Sequence, residues 1–169
     1  MIEHNFFLTH PDGPENLECA VICYRDRDNK FMVDTGKSMK GWFSCYLKGS
    51  GLFQVHTDLS TQCRLLKLSI AGILKTTALA HYPGVALQRP CLASWKRKYV
   101  YLMGGIERNV MIGDITSNIC QRYSVAENKW VQMPYLTQQR YDSSACTLGD
   151  YLYIFYGAKR NFDQYVPNS

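Results

Sequence analysis

Tyr99-Val100-Tyr101-Leu102-Met103-Gly104-Gly105 is the stretch whose reading decides the fold. Five strand-forming residues run into two glycines. Rings and branched side chains suit a pleated surface, and paired glycines end a strand where another backbone or a bulky ring must approach closely. Just upstream, Cys91-Leu92-Ala93-Ser94-Trp95 is a short strand, and Lys96-Arg97-Lys98 is a basic turn between the two. Downstream, residues 106–118 form a longer connection into Ile119-Cys120-Gln121-Arg122-Tyr123-Ser124-Val125. Glu127-Asn128-Lys129 turns the chain, and Trp130-Val131-Gln132-Met133 is a fourth strand stopped by Pro134. Four short strands joined by turns predict a meander. Tyr123 and Trp130 stand on neighbouring strands, and burying both rings contributes several kcal/mol at ~25 cal/mol per Å² over roughly 150–250 Å² each.

After Pro134 the pattern starts again. Arg140 and then Ser143-Ser144-Ala145-Cys146-Thr147-Leu148 answer Arg89 and the strand from Cys91. Gly149-Asp150 answers the basic turn, and Tyr151-Leu152-Tyr153-Ile154-Phe155-Tyr156-Gly157 answers the opening stretch. The offsets are 51 residues from Arg89 to Arg140, and 52 from Tyr101 to Tyr153 and from Gly105 to Gly157. A period near fifty that holds four strands fits one blade of a β-propeller.

The unit 89–134 resembles a kelch repeat: a β-rich stretch into Gly104-Gly105, then Tyr123, six residues, and Trp130. The resemblance covers residues 89–157 well and reaches back weakly to about residue 42, where Tyr46-Leu47-Lys48-Gly49 and residues 63–68 fit a degenerate blade with Leu74 in the place of a Trp. It implies an all-β chain, a partial kelch-type propeller of two to three four-stranded antiparallel blades that does not close. Arg89, Tyr101, Gly104, Gly105, Tyr123, Trp130, Pro134, Arg140, Tyr153 and Gly157 are then its structural positions. In that family the equivalent rings fill the space between blades. The chain departs from the pattern at Tyr156-Gly157, where two glycines are expected, and in its length. Propellers close with about four to eight blades, so the expectation is a fragment, completed by further blades from a longer chain or by self-association.

Residues 1–40 are a poorly defined segment that can hold another degenerate blade; 41–88 are a weak kelch-like blade, 89–139 a complete repeat, and 140–169 the start of a further one. Residues 73–79 read as either a strand or a short helix, since the stretch holds no β breaker.

Several function classes lose ground on composition. The net charge of +5 is modest, whereas a nucleic-acid binder clusters its charge along one face; Lys96-Arg97-Lys98 reads as a solvated turn. No apolar run reaches the roughly 18–20 residues of a membrane span, and residues 1–7 do not read as a secretory leader. The expected setting is cytoplasmic, with no nucleic-acid and no membrane partner. Seven cysteines, an odd number, argue against a disulfide framework. Cys91, Cys120 and Cys146 read as small buried hydrophobes. Cys19 and Cys23 lack a second close ligand pair for zinc.

No cofactor, metal or catalytic residue is assigned, and the chain is expected not to be an enzyme. The resemblance implies a scaffold or adaptor that binds another protein through its loops, with Arg108, Asn109, Gln138 and Arg140 as the candidate contacts. The alternative is part of a kelch-like oxidase or sugar-modifying enzyme, which needs converging His, Tyr, Asp or Glu groups.

Overall fold

The computed structural model describes residues 20–25, 29–34, 42–48, 50–56, 60–68, 74–109, 111 and 113–159. Every regular element among them is a strand. A first hairpin joins β1 (Ala20–Arg25) to β2 (Asn29–Asp34). Then come β3 (Trp42–Leu47), β4 (Gly51–His56), β5 (Cys63–Leu68) and β6 (Leu74–Leu79). They pair antiparallel in chain order as one four-stranded sheet. Residues 74–79 are thus a strand, β6: Thr76 and Thr77 are β-branched and stiff at χ1, which favours the extended chain.

After a two-residue strand β7 (Leu87–Gln88), the second meander holds β8 (Cys91–Trp95) and β9 (Tyr99–Met103). Two further short strands follow, β10 (Ile106–Glu107) and β11 (Ile115–Thr116). The meander then resumes with β12 (Cys120–Ser124) and β13 (Lys129–Gln132). The sheet order is β13-β12-β9-β8, while β7, β10 and β11 make a small three-stranded sheet beside it. The last hairpin pairs β14 (Ser144–Leu148) with β15 (Tyr151–Phe155). These are successive propeller blades, and their first strands β3, β8 and β14 lie side by side.

The core lies between blades. Phe53 of the first sheet meets Tyr123 at 5.1 Å and Trp130 at 6.1 Å between ring centres, and Tyr82 packs edge-on against Trp130 at 5.4 Å. Leu47, Val55, Cys63, Val100 and Leu102 complete this layer. Burial pushes the Cys63 thiol and the Tyr123 phenol each up to about 12. The second layer, between β8–β13 and the last hairpin, is smaller and richer in sulfur: Cys91, Ala93, Met103 and Cys120, with Ala145, Leu152 and Ile154 against them.

Cys91 and Cys120 are buried, as small hydrophobes should be, whereas Cys146 is exposed. The difference is one of face. Residue spacing along a strand alternates sides, so Ala145 turns toward the second sheet and Cys146 turns away from it. The Cys19 half of the Cys19/Cys23 pair lies outside the described residues.

Registers explain why the first sheet is faint in sequence. Val100, Tyr123 and Trp130 form one cross-strand row. Counting from the three-residue turns that follow Leu47 and Trp95, the equivalent row is Leu52, Leu66 and Thr76. The same positions are filled, with no ring among them.

Candidate partner-binding face

Three connections meet at one end of the second sheet: residues 87–90, residues 104–107 with 113–119, and residues 133–143, with Asp142 N–H donating to the Arg89 carbonyl at 3.3 Å. Main-chain bonds tie them. Gly105 N–H donates to the Arg140 carbonyl at 2.8 Å, Arg140 N–H to Ser117 at 3.1 Å, Ser117 N–H to Gly105 at 2.9 Å, and Leu136 N–H to Asn118 at 2.8 Å. The loops therefore form one platform.

The glycines make this possible. Gly104 and Gly105 both sit at positive φ, +62° and +112°, conformations that L side chains rarely adopt. A Cβ on Gly104 would collide with the Arg140 carbonyl, and one on Gly105 would lie 2.9 Å from the Gln88 carbonyl. Gly157 repeats the second relationship, with the Tyr141 carbonyl 2.9 Å from where its Cβ would stand. The geometry sets Gln88 against Tyr141 and Arg89 against Asp142, both of the latter at positive φ, so the structural offset is 53 at the start of the repeat and 52 at its glycines. The two-residue turn Gly149-Asp150, against three residues at Lys96-Arg97-Lys98, accounts for the lost residue. Arg140 thus occupies the place of Leu87, while Arg89 pairs with Asp142 and lies over the Tyr141 ring at 5.3 Å.

An open cleft of about 790 Å³ lies on the platform, lined by Asn118, Thr137, Gln138, Gln139, Arg140, Tyr156, Gly157 and Lys159. The Arg140 guanidinium is held in it by two bonds, to the Tyr156 carbonyl at 3.0 Å and to the Gln138 side-chain oxygen at 3.3 Å. Its Nε is buried without a hydrogen-bond partner. Arg140 also faces Cys91, whose thiol burial pushes up to about 11 against the opposing pull of that cation.

Of the four candidate contacts, the cleft brings together Gln138 and Arg140. Arg108 stands apart, exposed, with its guanidinium 2.7 and 2.8 Å from the side-chain amide of Gln88, whose oxygen accepts from it when the amide is turned to face it. Asn109 caps its own loop by accepting Met111 N–H at 2.9 Å. Of the structural positions, Tyr101 is half-buried against the second layer, Pro134 is exposed where β13 ends, and Tyr153 points outward. Asn118 ends the connection 106–118 that the sequence offered as exposed, whereas sequence reading missed Tyr156 and Lys159. One signal for Tyr156 was present: it replaces the first glycine of the pair, sits at φ +56°, and is 90% exposed. A side chain tolerated in that conformation is a reason to look for function.

Among the described residues, no group of three His, Cys, Asp or Glu is placed to hold a metal ion, and no helix is long and apolar enough to cross a membrane. The cleft offers amide, hydroxyl and cationic groups, a set suited to hydrogen-bonding a polypeptide.

No protein-family model matches the chain. Over 127 residues, 75% of the chain, it is 30% identical to Kelch-like protein 22 of Xenopus tropicalis, and it spans 19% of that relative's length. Its fold is similar to the solved structure of YjhT, with a TM-score of 0.62 and 20% identity across 72% of this chain and 34% of that one.

Proposed function

We propose that this run of kelch-type propeller blades is a protein–protein interaction module, and that it holds its partner at the cleft around Arg140. One observation carries the reading. Three connections are bonded into a single platform, and the side chains they present are polar and cationic groups around one half-buried arginine. Arg is over-represented at the energetic centre of interfaces because its planar fork makes several directed bonds at once. Its two existing bonds hold the fork in place, so little side-chain freedom is lost on binding. The described thiols are free and mostly buried, which supports action in a reducing compartment inside the cell.

The test is affinity capture with the intact chain beside Arg140→Ala and Gln138→Ala, each checked for unchanged thermal unfolding. A partner lost with Arg140→Ala and weakened with Gln138→Ala supports the reading. A partner retained by both variants places binding elsewhere.

A further inference from the structure

The end of the sheets opposite the cleft is built differently. It carries the turns joining β3 to β4, β8 to β9, β12 to β13 and β14 to β15. We propose that this end is a second docking surface, one that receives an acidic polypeptide segment.

Three independent features point there. The first is a like-charge pair: Lys67 and Lys75 stand directly opposite each other in the β5–β6 register, both exposed. Like charges at facing positions destabilise a sheet, and an anion laid across them removes that penalty. The second is the turn Lys96-Arg97. Both residues sit at positive φ, +48° and +56°, in a two-residue arrangement that Asn-Gly fills without strain. Holding two long cations there has a cost in backbone energy, and such outliers mark functional positions; Arg97 is exposed, while Lys96 lies against Trp95.

The third is charge balance. Lys48, Lys98 and Lys129 are exposed at the same end, and Glu127 and Asp150 are the described carboxylates among them. Asp150 is already paired with Lys96, which holds its carboxyl below the usual range. The two inner turns of this end share one surface because the blades are in contact here. Ser94 Oγ donates to the Tyr46 carbonyl at 2.8 Å, which sets the Lys48 turn beside the Lys96 turn.

The occupant follows from the neighbouring groups. A base-stacking ligand needs open aromatic faces. Trp95 and Tyr99 instead stack on each other at 5.9 Å, and Lys96 and Arg122 cover them at 4.4 and 4.5 Å. Beside the charges, Leu148 and Tyr151 are exposed at 70% and 69%. A polypeptide carrying both carboxylates and an apolar side chain uses the two together.

The probe is a fluorescent oligo-glutamate peptide with one leucine, titrated into the intact chain at several salt concentrations. Single-stranded RNA of equal charge and phosphatidylserine vesicles are titrated in parallel. Two variants separate docking from folding. Lys67→Glu turns the facing pair into opposite charges, and Lys96→Asn with Arg97→Gly supplies residues that suit the turn. Each variant is expected to unfold at a temperature equal to or about 2 °C above the parent's and yet bind the peptide roughly fivefold more weakly. Peptide binding that falls with salt and with both variants supports the proposal. No peptide binding, binding unchanged in the variants, or tighter binding to RNA or vesicles overturns it.

Discussion

The side-chain oxygen of Asn128 accepts the backbone N–H of Ala80 at 2.8 Å, although the two residues stand 48 positions apart. The same oxygen accepts the Tyr123 hydroxyl at 2.6 Å, and the Trp130 indole N–H returns to the Ala80 carbonyl at 3.2 Å. One residue of the first blade is thus gripped on both its backbone groups by the second. Buried polar groups exact a penalty when left unpaired, so the clamp both satisfies the rings' polar ends and fixes how the blades meet.

Asn128→Ala should therefore destabilise the chain by about 1–3 kcal/mol, read as a lower urea midpoint. Asn128 sits at φ +49°, so Asn128→Gly serves as the control: it keeps the turn and loses the bonds. A glycine variant as stable as the parent would show that the clamp contributes nothing.

Trp130 is 7% exposed and touches Phe53, Tyr82 and Tyr123. Trp130→Ala should cost roughly 3–5 kcal/mol. A double-mutant cycle of Phe53→Leu with Trp130→Leu should show a coupling of about 0.5–1.5 kcal/mol, because the two rings belong to different blades and meet only when these pack together.

The glycines should rank by what surrounds them. Gly149 has open space around it and φ +58°, so Gly149→Ala should cost only the left-handed penalty of roughly 1–2 kcal/mol. Gly104→Ala and Gly105→Val add collisions with the carbonyls of Arg140 and Gln88, and thermal unfolding should place both well below Gly149→Ala.

The thiols make stability depend on alkaline pH. In the folded chain Cys91 is held protonated up to about 11, and Cys45 and Cys63 up to about 12, mainly by burial, against 9.0 for an ordinary exposed thiol. The folded state binds these protons more tightly, so stability falls wherever the unfolded thiols ionise first. The contribution is complete below pH 9 and drains away as the pH climbs toward 11–12. Urea midpoints should drop across that window, and drop less in Cys63→Ala. At pH 8, a thiol reagent should modify exposed Cys146 before buried Cys63, Cys91 and Cys120.

Much of the second blade was legible because its signals are local: strand formers, punctuating turns, and two glycines followed by Tyr123 and Trp130. All four of its strands fall within two residues of the expected bounds. The first blade was faint since Leu66 and Thr76 stand where the second has Tyr123 and Trp130, with Thr76 and not Leu74 at the Trp position, and no spacing rule detects a row that only pairing assembles. Strands of two residues such as β7, β10 and β11 are too short to show any period. Arg89 and Arg140 looked equivalent by residue type, yet the close approaches at Gly105 and Gly157 set the register two residues away. For the cleft, Gln138 and Arg140 were readable as a polar loop before a strand. Tyr156 and Lys159 come to the same place through the register of β15, which sequence did not supply.

The carbonyl embraced by Gly104 and Gly105 is main chain, and every amino acid has one. Whatever side chain stands at position 140, the fastening between one repeat and the next survives. The surface that chooses a partner can therefore drift or be exchanged wholesale while the joint beneath it stays shut, leaving recognition free to diversify on an unchanged frame.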